Sequence, residues 1–128
     1  MKRYLPLLAR ILLVLIFVMS GADKLSYFGG TQAYMAEFGM PFTAFFLTAA
    51  IAVELLGVLA IVLGFEARWG ACALILFLIP ATLIFHTDFS QDVEVVMFLK
   101  NPSIIGGLLF VVAHGPGPFR LGGGSDVA

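Results

Sequence analysis

The sequence predicts an all-α fold, an integral membrane bundle of four transmembrane helices, from three observations. Of the 128 residues, 61% are apolar and only 12% are charged, about half the charged share of a typical soluble domain. The mean hydropathy is +1.06. Four apolar runs each approach the ~20 residues that a helix needs to cross a ~30 Å hydrocarbon core. Helices are expected because they satisfy their own backbone hydrogen bonds in lipid.

Charge and motif content exclude several classes of function. A net charge of −1 with no basic stripe argues against nucleic-acid binding. The single cysteine, Cys72, lies in an apolar run, and there is no CxxC, so the chain alone is not suited to thiol–disulfide exchange. It has no phosphate-binding loop, HExxH or nucleophile elbow. No self-contained catalytic motif is therefore present, and whether the protein takes part in an enzyme is left open.

The first span is predicted at residues 4–22, with Pro6 in the first turn, where its missing N–H costs little. A cleaved signal peptide is the alternative, because the apolar run is followed by small residues at 20–22. A basic residue inside the run favours an uncleaved helix. Four residues share one helix face, which we expect to point into the bundle: Arg10, Phe17, Gly21 and Lys24.

Residues 25–40 are predicted to form a loop at the membrane surface. Its aromatic residues are typical of the headgroup level. Within the loop, residues 33–39 are expected to form a short helix on the membrane surface that ends at Gly39.

The second span, residues 41–64, carries Glu54 near its middle. A charged side chain at that depth costs roughly 2.5 kcal/mol or more unless it is paired or protonated. Glu54, Gly57 and Ile61 share a face, and Gly57 allows a neighbouring helix to approach the acid closely. A partner for Glu54 is therefore expected elsewhere in the chain.

The third and fourth spans are predicted at residues 69–86 and 93–114. Pro80 should kink the third, and the fourth should be broken or bent at Pro102. Gly21, Gly57 and the small pair Ser103 and Gly107 are predicted to pack helices closely. The four spans form one domain, residues 1–116, followed by a Gly/Pro-rich and flexible tail at 117–128.

The distribution of basic residues predicts the orientation. The N-terminus, the 65–68 connection and the tail carry Lys2, Arg3, Arg68 and Arg120, whereas the other two connections are rich in acids. Both termini should therefore be cytoplasmic, in a multi-pass protein of the bacterial inner membrane.

Six polar side chains are predicted to gather between the helices: Arg10, Lys24, Glu54, His86, Lys100 and Asn101. Judged by their depth in the membrane, either Arg10 or Lys100 should neutralise Glu54. Lys24, His86 and Asn101 should lie toward the outer half of the bilayer. One interpretation is a structural ion pair that fixes helix order. The other interpretation is a pocket for a lipid headgroup, a quinone or a proton. The number of polar side chains favours the pocket, because a single structural ion pair needs only two of the six.

Metal and haem sites are not predicted. His86, Asp88, Asp92 and Glu94 match no rigid ligand spacing. His86 and His114 would lie at opposite membrane faces, too far apart to hold one haem.

Several sequence blocks together resemble the DoxX family of small four-helix membrane proteins. They are LARILLVLIFVMSGADKL at 8–25, FGMP at 38–41, AVELLGVLAIVLG at 52–64, the arginine of FEAR, HTDF at 86–89 and FLKNPSIIGGLLFVVAHGPGPFRL at 98–121. The positions that fit the family pattern are Arg10, Gly21, Lys24, Glu54, Gly57, Gly64, His86, Lys100, Asn101 and Gly107. The resemblance implies a link to quinone-linked redox chemistry, although most members have no assigned reaction.

The sequence therefore leads to one main functional hypothesis and two alternatives. The main one is a redox-associated membrane subunit that binds a quinone or a lipid-like ligand, in which Glu54 carries a proton while His86 and Asn101 orient the polar head. A redox role would require a bound quinone or a partner protein, because paired cysteines are absent. The alternatives are a scaffold or assembly subunit, as a homo-oligomer or in a membrane redox complex, and a small proton-coupled transporter.

Overall fold

The computed structural model describes residues 4–85, 90 and 92–120, and within these it contains five helices and no strand. Four helices are long and apolar enough to cross a membrane, which confirms the predicted all-α bundle of four spans. Their bounds differ from the predicted ones by four residues at most. The helices are α1 (Leu5–Ser26), α2 (Phe28–Glu37), α3 (Thr43–Leu63), α4 (Ala67–Phe85) and α5 (Asp92–His114).

The first helix continues four residues beyond its predicted end, so Lys24 lies inside α1 rather than at a helix boundary. The face predicted to point inward is buried at Arg10, Val14, Phe17 and Gly21. Its spacing of three and four residues gives one stripe on a helix, so this prediction is confirmed.

The predicted surface loop is mostly helical, because α2 begins at Phe28 and includes both glycines at 29 and 30. Tertiary contacts account for the difference from the shorter predicted helix. Met35 packs in a small core with Leu47 and Ile51 of α3. Thr43 Oγ1 donates a hydrogen bond to Gln32 Oε1 at 3.0 Å. Packing against α3 thus outweighs the low helix propensity of glycine.

The third helix ends at Gly64, as predicted. Gly64 has φ +71°, and the N–H of Phe65 bonds to Ala60 O at 3.1 Å, which closes the last turn. The connection to α4 is only three residues long, so α3 and α4 form an antiparallel hairpin.

The four spans pack in chain order, α1 on α3, α3 on α4, and α4 on α5, while α1 and α5 barely touch. Glycines set two of these contacts. A Cβ at Gly21 would lie 2.9 Å from Leu55 Cδ2 of α3, and one at Gly57 would lie 2.7 Å from Leu74 Cγ of α4. The bundle is therefore closed on three sides and open between its first and last spans.

Apolar side chains occupy both the core and the lipid-facing surface of the bundle. The core draws on all four spans, with Phe17, Ile61, Leu74 and Leu108 among its members. The many exposed apolar side chains suit a surface in contact with hydrocarbon. Trp69 is 72% exposed at the start of α4, a position typical of an interfacial anchor.

The last span is one helix that includes Pro102, so the chain is not broken there. After α5, residues 115–120 fold back on the start of α1, where the ring of Phe119 stacks on Tyr4 at 5.2 Å between centroids. Residues 121–128 of the predicted tail lie outside the described residues. The even number of spans places both ends of the bundle on one side, and the cytoplasmic side remains a prediction.

Replacing Gly57 with alanine should lower the free energy of unfolding by ~1–3 kcal/mol, the usual cost of overpacking a filled core. The added methyl would overlap Leu74, which is fully buried. Gly106→Ala is the matched control, since its Cβ would meet nothing within 4 Å. Thermal unfolding in one detergent should show a lower midpoint for Gly57→Ala alone. Equal midpoints for both variants and the wild type would contradict the close α3–α4 contact.

Candidate functional site

The site centres on an ion pair between Lys24 and Glu54. Lys24 Nζ lies 2.8 Å from Glu54 Oε1. Glu54 is 0% exposed, and the side chain of Lys24 is 23% exposed. The expectation that Arg10 or Lys100 would neutralise Glu54 is therefore wrong.

The direction of side chains on a helix explains why Lys24, and not Arg10, pairs with Glu54. The Cα–Cβ bonds of an α-helix tilt toward its N-terminus. Lys24, in the last turn of α1, therefore leans back toward the bundle centre, where its Nζ donates a hydrogen bond to Ser20 Oγ. Arg10 leans in the same direction, but it lies near the start of α1, so its side chain points away from the bundle centre and its Nη2 donates to Phe119 O at 2.6 Å.

The carboxylate of Glu54 keeps unused capacity to accept hydrogen bonds. The contact with Lys24 is an ion pair, and neither oxygen of Glu54 has a well-directed hydrogen bond within the described residues. An ionised carboxylate has about four lone-pair sites. Lys24 Nζ also lies 5.7 Å from the centroid of the Phe77 ring, a cation–π contact. The pair can thus still engage a proton or a polar ligand group.

A cavity of about 500 Å³ adjoins this pair, and side chains from all five helices line it. It brings together four of the six predicted site residues: Lys24, Glu54, Lys100 and Asn101. Most of its other walls are apolar, with Phe17, Leu47 and Phe77 among them. The arrangement places a few polar groups at fixed positions in an apolar chamber, as ligand sites commonly do.

A chain of two hydrogen bonds fixes Asn101 at the cavity wall. Asn101 Nδ2 donates to Thr82 Oγ1 at 2.7 Å, and Thr82 Oγ1 donates to Leu78 O at 2.7 Å. Both side chains are buried. Thr82 was not among the predicted site residues, although a polar residue on an otherwise apolar helix face was the available signal. The link ties α4 to α5 beside the cavity.

The short helix α2 contributes Thr31, Tyr34 and Met35 to the cavity wall. Tyr34 stacks on Phe85 at 5.5 Å between ring centroids, and Phe38 lies 5.0 Å from both rings. Burial, with smaller contributions from nearby Glu94 and Glu37, raises the pKa of the Tyr34 phenol above its ordinary value. Tyr34 thus stays protonated at neutral pH and can donate a hydrogen bond.

The other predicted residues lie elsewhere. His86 falls outside the described residues, and Arg10 lies toward the other end of the bundle. Gly107 approaches α1, and a Cβ added at this position would lie 3.0 Å from Leu13 Cδ1. Ser103 is exposed, and its Oγ contacts Leu99 O at 3.4 Å. The described residues contain no group of three or more His, Cys, Asp or Glu that could hold a metal ion.

Comparison with known proteins places this architecture in a family. The family model described as DoxX matches residues 5–87, which hold α1 to α4. The chain belongs to the DoxX family. Lys24 and Glu54 both lie within the matched residues, whereas Lys100 and Asn101 follow them.

Two curated relatives are similar to this chain over most of its length. The inner membrane protein YqjF of Escherichia coli K12 is 37% identical over 115 residues, 90% of this chain and 87% of that protein. The inner membrane protein YphA of the same strain is 36% identical over 122 residues, 91% of this chain and 87% of that protein. This DoxX-family chain is accordingly a multi-pass inner membrane protein.

A eukaryotic protein shares part of the chain. The Surfeit locus protein 4 homolog of Schizosaccharomyces pombe is 36% identical over 81 residues, 56% of this chain but only 27% of that protein. No solved structure matches this DoxX-family chain.

Replacing Lys24 with methionine should lower the free energy of unfolding by ~3–5 kcal/mol, because it leaves Glu54 buried without its cation. Adding Glu54→Gln to the same chain should restore most of the loss. Lys100→Met is the matched control, since Lys100 lines the same cavity but has no ion pair within the described residues. Thermal unfolding of the four proteins measures the effect. An equal loss in both lysine variants, or no recovery in the double variant, would contradict the pairing.

Proposed function

We propose that this DoxX-family protein is a redox-associated membrane subunit that binds an amphipathic ligand, quinone-like or lipid-like, in the cavity beside Lys24 and Glu54. One observation carries the proposal: a buried ion pair with unused hydrogen-bonding capacity faces a chamber that is otherwise mostly apolar. A ligand that suits this chamber has an apolar body and a small polar head.

The size and chemistry of the cavity support this proposal. Ligand pockets commonly enclose ~300–1,000 Å³, and this one encloses about 500 Å³. Lys24 donates hydrogen bonds to the carbonyl oxygens of a quinone or to the ester and phosphate oxygens of a lipid. Asn101 keeps a second N–H group for the same purpose, since only one is needed for Thr82. The aromatic rings of Tyr34 and Phe77 would pack against a flat head.

Glu54 has a distinct role in the proposed site. Its Oε2 has no partner within the described residues, so it can accept a proton from the bound head or return one. Whenever Glu54 is ionised, Lys24 compensates the charge of its carboxylate. A bound quinone would supply coupled electron and proton transfer, with electrons exchanged through a partner protein.

Native mass spectrometry of the protein, extracted gently from its own membrane, tests the proposal. Wild type is compared with Glu54→Gln and with Glu37→Gln, a matched change of acid to amide at an exposed position on α2. A stoichiometric ligand should remain with the wild type and the Glu37 variant and should be lost from the Glu54 variant, since the neutral amide cannot form the ion pair with Lys24 or carry a proton. The ligand mass distinguishes a quinone from a lipid.

Other outcomes would favour the two alternatives. No ligand on any of the three proteins, with an unchanged oligomeric state, would leave a scaffold subunit whose charges set helix order. Proton-dependent solute uptake into proteoliposomes that is lost in Glu54→Gln would make the protein a transporter.

A further inference from the structure

A second opening lies between α1 and α5, the two spans that barely touch. It is a groove of about 910 Å³ whose walls come from α1, α5 and residues 115–117, at the end of the bundle that carries both termini. Most of its lining is apolar, and its charged or titratable members are Arg10, Lys100 and His114.

Arg10 forms part of the groove wall and is only 3% exposed. Its Nη2 donates to Phe119 O, but Nε and Nη1 have no hydrogen-bond partner within the described residues. No carboxylate of those residues pairs with it either. A buried charge without a partner is strongly destabilising, so a counter-anion is expected at this guanidinium.

The backbone around Arg10 holds its guanidinium in place. Gly64 ends α3 directly beside it, and a Cβ there would lie 2.6 Å from Arg10 Nη1. The ring stack of Tyr4 on Phe119 holds the carbonyl that accepts from Nη2. Nε and Nη1 are thus buried with no acceptor among the described residues, and arginine matches the oxygens of a phosphate particularly well.

We propose that the groove between α1 and α5 binds an anionic phospholipid, with its phosphate on Arg10 and an acyl chain along the groove. A lipid fits better than free phosphate because the groove continues as an apolar channel. Its wall on α5 extends from Lys100 to His114, fourteen residues or about 21 Å of helix. This length exceeds the ~15 Å of hydrocarbon in one leaflet, so it accommodates an acyl chain.

The depth of Arg10 agrees with a phosphate ligand. It follows the first residue of α1 by five positions, about 8 Å of helix rise. Its side chain leans further toward the helix start, where lipid headgroups lie. His114 ends α5 on the opposite wall of the groove, so an imidazole that can donate a hydrogen bond lies at the same end.

This site is separate from the proposed ligand cavity. The two openings share only Ile16, Lys100 and Ile104 in their walls. Arg10 lines only the groove, and Glu54 lines only the cavity. A variant of each residue therefore distinguishes failure of the lipid site from failure of the proposed function.

The test uses the full chain in nanodiscs that contain equal amounts of phosphatidylglycerol and phosphatidylcholine, followed by native mass spectrometry. Wild type should retain phosphatidylglycerol in preference to phosphatidylcholine. Arg10→Gln should reduce the retained anionic lipid at least tenfold. Arg68→Gln, which removes the same charge at the same end of the bundle but outside the groove, should not. Equal retention by the two arginine variants, or no preference for the anionic lipid, would overturn the proposal.

A second variant separates lipid binding from folding. Ser103→Phe fills the groove from an exposed position on α5 and leaves every charge in place. It should lose the lipid while its thermal unfolding in detergent stays at the wild-type midpoint. Lipid retained by this variant would overturn the proposal. Stabilisation of delipidated protein by inorganic phosphate to the same extent as by phosphatidylglycerol would also overturn it, because the ligand would then be a free anion.

Discussion

The need to compensate one carboxylate inside the membrane governs this structure. Glu54 is fully buried near the middle of α3, and lipid offers no water to solvate it. Its cation comes from the last turn of α1, so the charge can be paired only when α1 and α3 lie side by side. Gly21 brings the two helices close at the same level. The ion pair therefore constrains helix order, depth and rotation together, and the polar cavity beside it follows from that arrangement.

The two cations of α1 serve opposite ends of the bundle, since both side chains lean toward the start of the helix. Lys24 enters from the far end toward the centre, while Arg10 turns outward to the chain that follows α5. The protein thus has two polar regions joined by an apolar stretch of α1. One is an internally compensated pair, and the other is a guanidinium whose compensation is incomplete within the described residues.

The spans could be predicted from the sequence because hydropathy and length are properties of each segment alone. The span predicted at residues 41–64, for example, contains the observed α3 (Thr43–Leu63). Sequence reasoning also predicted that Lys24, Glu54, Lys100 and Asn101 gather between the helices, and these four residues line one cavity. Helix periodicity was enough for this prediction because it identifies the inward faces. Sequence reasoning failed on the partner of Glu54 because depth was judged by residue number, without the direction in which side chains lean. It also missed contacts between distant segments, such as Met35 with Leu47 and Phe119 with Tyr4, which no local pattern encodes.

The open side between α1 and α5 has a consequence for how the protein is made. Each span packs mainly on a span near it in the chain, and no large contact joins the first to the last. Spans that leave the insertion machinery in order can thus dock one after another, without waiting for the chain to close a ring. Such short-range contacts favour fast folding. The contacts of Phe119 with Tyr4 and Arg10 can then form last, once α5 is in place.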